Sequence, residues 1–156
     1  IFLPQMILSA ETMQRGFSVL EPHFQAGAAQ SGKKVLICTV KGDVHDIGKN
    51  IVALFLKNNG FQVNDLGKDV ETERIVAAAI ERDVDVVALS ALMTTTMVKM
   101  EEVIAALRER DSRAAVVVGG AVVTKKFGRS IGADGYAKDG AAAVREIQSL
   151  VEKGKK

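Results

Sequence analysis

KVLICTVKGDVHDIGKNIVALFLKNNG, residues 34–60, changes its periodicity halfway along. Its first seven residues are an almost unbroken apolar run rich in β-branched side chains, the pattern of a strand buried on both faces. From Ile47 the apolar pattern becomes that of a helix, and Gly60 closes it. Between the two lies a polar loop in which His45 sits between Asp43 and Asp46, and Gly48 follows. The chain has only two histidines and places one of them here. A loop between the carboxyl end of a strand and the next helix is where open α/β folds hold their ligands.

The same alternation continues downstream. FQVNDL (61–66) reads as a strand, VETERIVAAAIERD (70–83) as a helix, and VDVVALS (84–90) as a strand. TTTMVKMEEVIAALRERD (94–111) is a helix, AAVVVGG (114–120) a strand, and TKKFGRSIG (124–132) a short helix. DGYAK (134–138) is a short last strand and GAAAVREIQSLVEKG (140–154) the closing helix. Five strands alternating with five helices predict a doubly wound, Rossmann-like (flavodoxin-like) α/β domain with a parallel sheet covered on both faces. The carboxyl edge of that sheet would carry the loops KGDVHDIG, LGKDV, SALMTTT, GGAVVT and AKDGA.

Upstream, Leu3, Met6, Ile7, Ala10, Met13, Phe17 and Leu20 recur at three- and four-residue steps, one face of a helix that Pro22 helps to end. AGAAQSGKK (26–34) is small and polar and reads as a linker. The expected organisation is therefore a helical appendage over 1–25, a linker over 26–34 and one domain over 35–156. The chain opens on IFLPQ without an initiator Met and so reads as part of something longer.

Composition narrows the function classes. The 156 residues are 47% hydrophobic but only 4% aromatic, and the apolar mass is Val, Ile, Leu and Ala. The net charge of +2 comes from interspersed acids and bases, with no basic stripe for nucleic acid. No run is long and apolar enough for a membrane span. Cys38 is the only cysteine and reads as a small apolar core residue in a reducing, cytoplasmic setting.

Three readings of the 42–49 loop fail on chemistry. As a phosphate loop it has five residues between Gly42 and Gly48, lacks the Ser or Thr after its Lys, and sets two carboxylates against the phosphates. As a phosphoacceptor domain it lacks the aspartate at the end of the third strand, where Ser90 stands. As a zinc or iron site it lacks a third ligand, because His23 lies in the appendage and Cys38 inside a strand. A metal carried in its own macrocycle needs a single protein ligand. Asp43, two positions before His45, can accept a hydrogen bond from the second ring nitrogen and fix the tautomer.

DVHDIG (43–48) matches the Asp-x-His-x-x-Gly signature of cobalamin-binding domains. SALMTTT (90–96) is similar to their second motif, and Gly119–Gly120 to their third. FLPQMILSAETMQRGFSVLEPHF (2–24) resembles the end of the helical cap that precedes this domain in methionine synthase and in the small corrinoid proteins of methyltransferase systems. The small corrinoid proteins are the nearer resemblance.

The resemblance implies a cobalamin or related corrinoid bound base-off/His-on, with His45 as the lower axial ligand of cobalt. The surrounding loop residues Gly42, Val44, Asp46, Ile47 and Gly48 would contact the cofactor. Asp43 would be the hydrogen-bond partner of His45, and Thr96 would complete the relay where methionine synthase has a serine. Ser90 and Thr94 would bond around the nucleotide tail, Leu92 and Met93 would line its slot, and Gly119 and Gly120 would leave it room. Tyr136, Ala137 and Asp139 would close the far end, and Leu3 and Met6 would shield the upper face.

The implied chemistry is methyl transfer through cobalt(I) and methyl-cobalt(III). No residue set looks able to activate a methyl donor, so the chain reads as a carrier rather than a complete enzyme. Its implied partners are a substrate-specific methyltransferase, an acceptor methyltransferase using tetrahydrofolate or a thiol cofactor, and a reductive activation protein. The donor stays open among methanol, methylamines, a betaine and methoxylated aromatics. A cobalamin-binding sensor and the carrier subunit of a mutase are the alternative readings.

Overall fold

The computed structural model describes residues 33–153. The expected helical appendage, with Leu3 and Met6, and most of the expected linker lie outside them. Among the described residues the order is β1 (Lys34–Val40), α1 (Ile47–Asn58), β2 (Gln62–Val70), α2 (Thr72–Glu81) and β3 (Val86–Ser90). There follow α3 (Thr94–Glu109), β4 (Ala115–Gly119), α4 (Lys125–Ser130), β5 (Gly135–Tyr136) and α5 (Gly140–Lys153). All strand pairs are parallel, in the spatial order β2-β1-β3-β4-β5.

Alternation along the strands builds one apolar layer on each face. Leu36, Cys38 and Val40 join Val87, Leu89, Val116 and Val118 on the side covered by α2 and α3. Val35 and Ile37 join Val86, Ala88 and Val117 against α1 and α5. Cys38 is fully buried, and that burial pushes its thiol up to about 12 despite nearby Lys49, so it is inert packing.

Two details differ from the sequence reading. Helices α2 and α3 stop at Glu81 and Glu109, two residues before the expected Asp83 and Asp111. Those aspartates adopt left-handed φ values of 48° and 55°. The amides after them reach back to the helix, Val84 to Ala79 and Ser112 to Leu107, so Asp takes the closing position usual for glycine. Strand β2 also runs past Leu66 to Val70, absorbing the LGKDV segment expected as a loop. Its pairing with β1 passes through Ile37–Asp65, Cys38–Gly67 and Val40–Val70, so β2 gains an extra residue at each of two bulges. Because β2 is the sheet edge among the described residues, its outer side keeps no register with another described strand.

The order places β1 beside β3, where the chain's winding reverses. The loops after these strands therefore diverge and leave a crevice at the carboxyl edge. His45 and Leu92 arrive there from the two sides.

Candidate functional site

Asp43 organises the crevice. Its side chain is fully buried, and each carboxylate oxygen accepts two hydrogen bonds. Oδ1 takes the His45 amide at 3.0 Å and His45 Nδ1 at 2.6 Å. Oδ2 takes the Leu92 amide at 2.7 Å and the Thr96 hydroxyl at 2.8 Å. Burial alone would push this carboxyl up, but the Leu92 amide, the His45 ring and amide, and Thr96 outweigh it and hold it at about 2.

An ionised carboxylate can only accept, so His45 Nδ1 carries the hydrogen of this bond. In the neutral ring the lone pair is then on Nε2. The His45 side chain is 50% exposed, with one edge held by a buried anion and the rest of the ring open. The Thr39 hydroxyl donates to the His45 carbonyl at 3.0 Å and pins the loop from inside the sheet. Such a group could serve as a single ligand for a metal. Among the described residues, no cluster of three or more His, Cys, Asp or Glu could bind a metal alone.

Beside this loop a cavity of about 390 Å³ runs between the sheet and helices α1 and α5. That lies within the range of about 300–1,000 Å³ common for small-molecule sites. Its walls are Ile37, Val52, Ala88, Val117, Ala143 and Ile147, and its mouth is formed by Gly48, Ser90, Leu92, Gly119, Gly120, Ala137 and Asp139. A side-chain carbon added at Gly48 would meet nothing within 4 Å, so the protein leaves that space open. An elongated, largely apolar group with polar atoms only at its end fits such a slot.

Not every residue expected at the site gathers there. Met93 and Thr94 begin α3 and lie outside the slot lining, and the Tyr136 side chain packs into the core on the opposite face of the sheet. Consecutive extended residues point to opposite faces, so Ala137, just after β5, reaches the slot and Tyr136 does not. Val44 is 59% exposed beside His45, while Asp46 precedes α1 without a side-chain cap bond.

Gly119 and Gly120 at the slot mouth also face neighbouring backbone. A side-chain carbon at Gly120 would fall 1.9 Å from the Ala91 carbonyl oxygen, and one at Gly119 would fall 2.7 Å from that of Ala137. Neighbouring backbone therefore leaves no space for a side chain at either position. Gly48 needs no such approach.

Sequence reasoning missed Thr39, the Leu92 amide and the apolar slot wall. Each depends on how the five strands are ordered and where the loops after them meet. Lys49 is nearly fully buried at the slot and meets both Asp65 oxygens at 2.7 Å. Its place after Gly48 had suggested only a phosphate ligand.

The B12 binding domain family matches residues 33–147. The chain is 41% identical to dimethylamine corrinoid protein 3 of Methanosarcina acetivorans over 97% of its own length and 72% of that protein's. The monomethylamine corrinoid protein of Methanosarcina barkeri superposes with a TM-score of 0.76 at 36% identity, covering 97% of this chain and 72% of that one. The methanol:cobalamin methyltransferase complex MtaBC from Methanosarcina barkeri gives a TM-score of 0.75 at 34% identity, covering 97% and 58%. A slot open at Gly48, a lone histidine tuned by a buried carboxylate, and these likenesses converge: the chain belongs to the B12-binding domain family, among the small corrinoid proteins of methyltransferase systems.

Proposed function

We propose that this chain carries a methyl group on a corrinoid bound base-off, with His45 as the lower axial ligand. The observation that carries the reading is the 2.6 Å bond from His45 Nδ1 to a buried, ionised Asp43, beside an open slot. When bound, the corrinoid supplies the metal that accepts and gives up the methyl cation.

The chain's own residues do the rest. Asp43 keeps the hydrogen on Nδ1 and so presents the Nε2 lone pair. Thr96 and the Leu92 amide hold Asp43 in place and keep it ionised. With the hydrogen held on Nδ1, the half-exposed ring would offer Nε2 to the metal that the corrinoid supplies. The slot between Ile37, Val117 and Ala143 would hold the nucleotide tail, with Ser90 at its mouth. Leu3 and Met6 are the side chains proposed for the upper face.

We assign the partners by the same reading: a substrate-specific methyltransferase, an acceptor methyltransferase dependent on tetrahydrofolate or a thiol cofactor, and a reductive activation protein. The relatives' methylamine corrinoid proteins favour a methylamine as the methyl source.

The test is paramagnetic resonance of the cobalt(II) protein. Labelling histidine with ¹⁵N is expected to change the axial nitrogen splitting, labelling the corrinoid's benzimidazole to leave it unchanged, and His45→Gln to abolish it. Splitting that follows the benzimidazole label would overturn the assignment.

Gly48→Leu tests the slot. This substitution is expected to leave the fold intact and to weaken corrinoid binding by at least about tenfold, read by equilibrium titration of the visible spectrum. Parent affinity would show that the tail lies elsewhere.

A further inference from the structure

The loop that carries Asp43 and His45 is gripped from outside by one residue of the edge strand. The Asp69 carboxylate accepts the Gly42 amide at 2.8 Å. The Asp69 amide donates to the Asp43 carbonyl at 2.9 Å. Asp69 sits at the second bulge of β2, between the Cys38–Gly67 and Val40–Val70 pairs, and has a left-handed φ of 53°. Non-glycine residues rarely hold that conformation, and Asp and Asn tolerate it best. The position therefore combines two requirements: a residue that accepts a left-handed backbone, and a side-chain oxygen that reaches Gly42. Glycine meets only the first, alanine meets neither, and asparagine meets both.

We propose that Asp69 is a positioning residue for His45, acting through the Gly42–Asp43 backbone. The inference rests on the reading of His45 as the metal ligand. The Asp43 carboxylate can hold the ring at 2.6 Å only while its own main chain is fixed. From within the sheet that fixing comes from the bond of the Asp43 amide to the Val40 carbonyl at 3.1 Å. From without it comes from Asp69. The Lys41 ammonium, 3.4 Å from Asp69 and 3.7 Å from Glu71, lies over the same corner, but these exposed ion pairs add little. The Gly42 amide also holds the Asp69 carboxyl below its ordinary range. The edge strand thus reaches the ligand loop without contributing a side chain to the slot.

The test uses the full chain without corrinoid. In Asp69→Gly, amide hydrogen exchange at Gly42 is expected to rise about tenfold, the loss of one hydrogen bond's protection. The His45 Nδ1 resonance should move toward that of a free imidazole, while the amides of β1, β3 and β4 keep their protection. Asp69→Asn should restore both readouts. Parent values for Gly42 and His45 in Asp69→Gly overturn the proposal. So does an Asn variant no better than the Gly variant, or an equal loosening of the central strands, which would reduce Asp69 to edge stability. Because the ring is read without corrinoid, loss of the histidine splitting in the loaded parent protein would fault the ligand assignment and leave the Asp69 result intact.

Discussion

Gly120→Ala is expected to destabilise the domain by about 3–5 kcal/mol, the largest effect of a single methyl anywhere near the site. The added carbon would stand 1.9 Å from the Ala91 carbonyl oxygen and 2.9 Å from its carbon, and both are backbone atoms that cannot swing away. The φ of 132° at Gly120 adds strain for any L side chain. The corner is also tied, because the Ala91 amide bonds the Gly119 carbonyl at 3.2 Å and the Val123 amide the Gly120 carbonyl at 3.1 Å. Moving Ala91 would disturb Leu92, whose amide serves Asp43. Gly119→Ala should cost less, since its contact is 2.7 Å without a positive φ. Gly48→Ala, with open space at the start of α1, should stabilise by up to about 1 kcal/mol. Urea denaturation of the three variants checks that order. A Gly120→Ala protein within about 1 kcal/mol of the parent would show that the loop relaxes, and would return the glycines to a purely ligand-related role.

Asp43→Asn is expected to cost about 2–3 kcal/mol and to alter the chemistry of His45. An asparagine offers one acceptor and one donor group where four donors now converge on two acceptors. If its oxygen faces His45, its NH₂ meets the Leu92 N–H, two donors at a site now spanned by a 2.7 Å bond. Turned over, its NH₂ faces His45, and the ring satisfies it by moving its hydrogen from Nδ1 to Nε2. That tautomer has no lone pair on the open side. Either way the charge that favours Nδ1–H is lost.

The pH dependence has a definite sign. The Asp43 carboxyl is lowered from 3.8 to about 2 in the folded protein, so its contribution is fully present above about pH 4 and is lost as pH falls through about 2. That lowering is worth about 2 kcal/mol. The parent should lose that increment between about pH 4 and pH 2, and Asp43→Asn should not. Denaturant midpoints measured across that range decide it. A variant with the parent's acid profile and the parent's His45 ring resonances would leave Asp43 no electrostatic role.

Much of this protein was legible from its residues. Strand and helix types follow from local periodicity, and every expected strand from KVLICTV to DGYAK has its counterpart within a few residues. The Asp43, His45 and Thr96 cluster was also legible, because a motif carries chemistry that is independent of packing. Tertiary structure decided the rest. Whether a helix closes at Gly60 or at a left-handed Asp83 depends on what the next strand must reach, not on propensity alone. Tyr136 and Ala137 were indistinguishable as slot residues until the end of β5 turned them to opposite faces. The role of Gly120 turns on one carbonyl from the loop after β3, and that of Asp69 on two bulges in a strand that is the sheet edge among the described residues. These contacts join residues tens of positions apart, so local sequence carries no signal for them. They exist only once the order β2-β1-β3-β4-β5 brings the ends of the strands together.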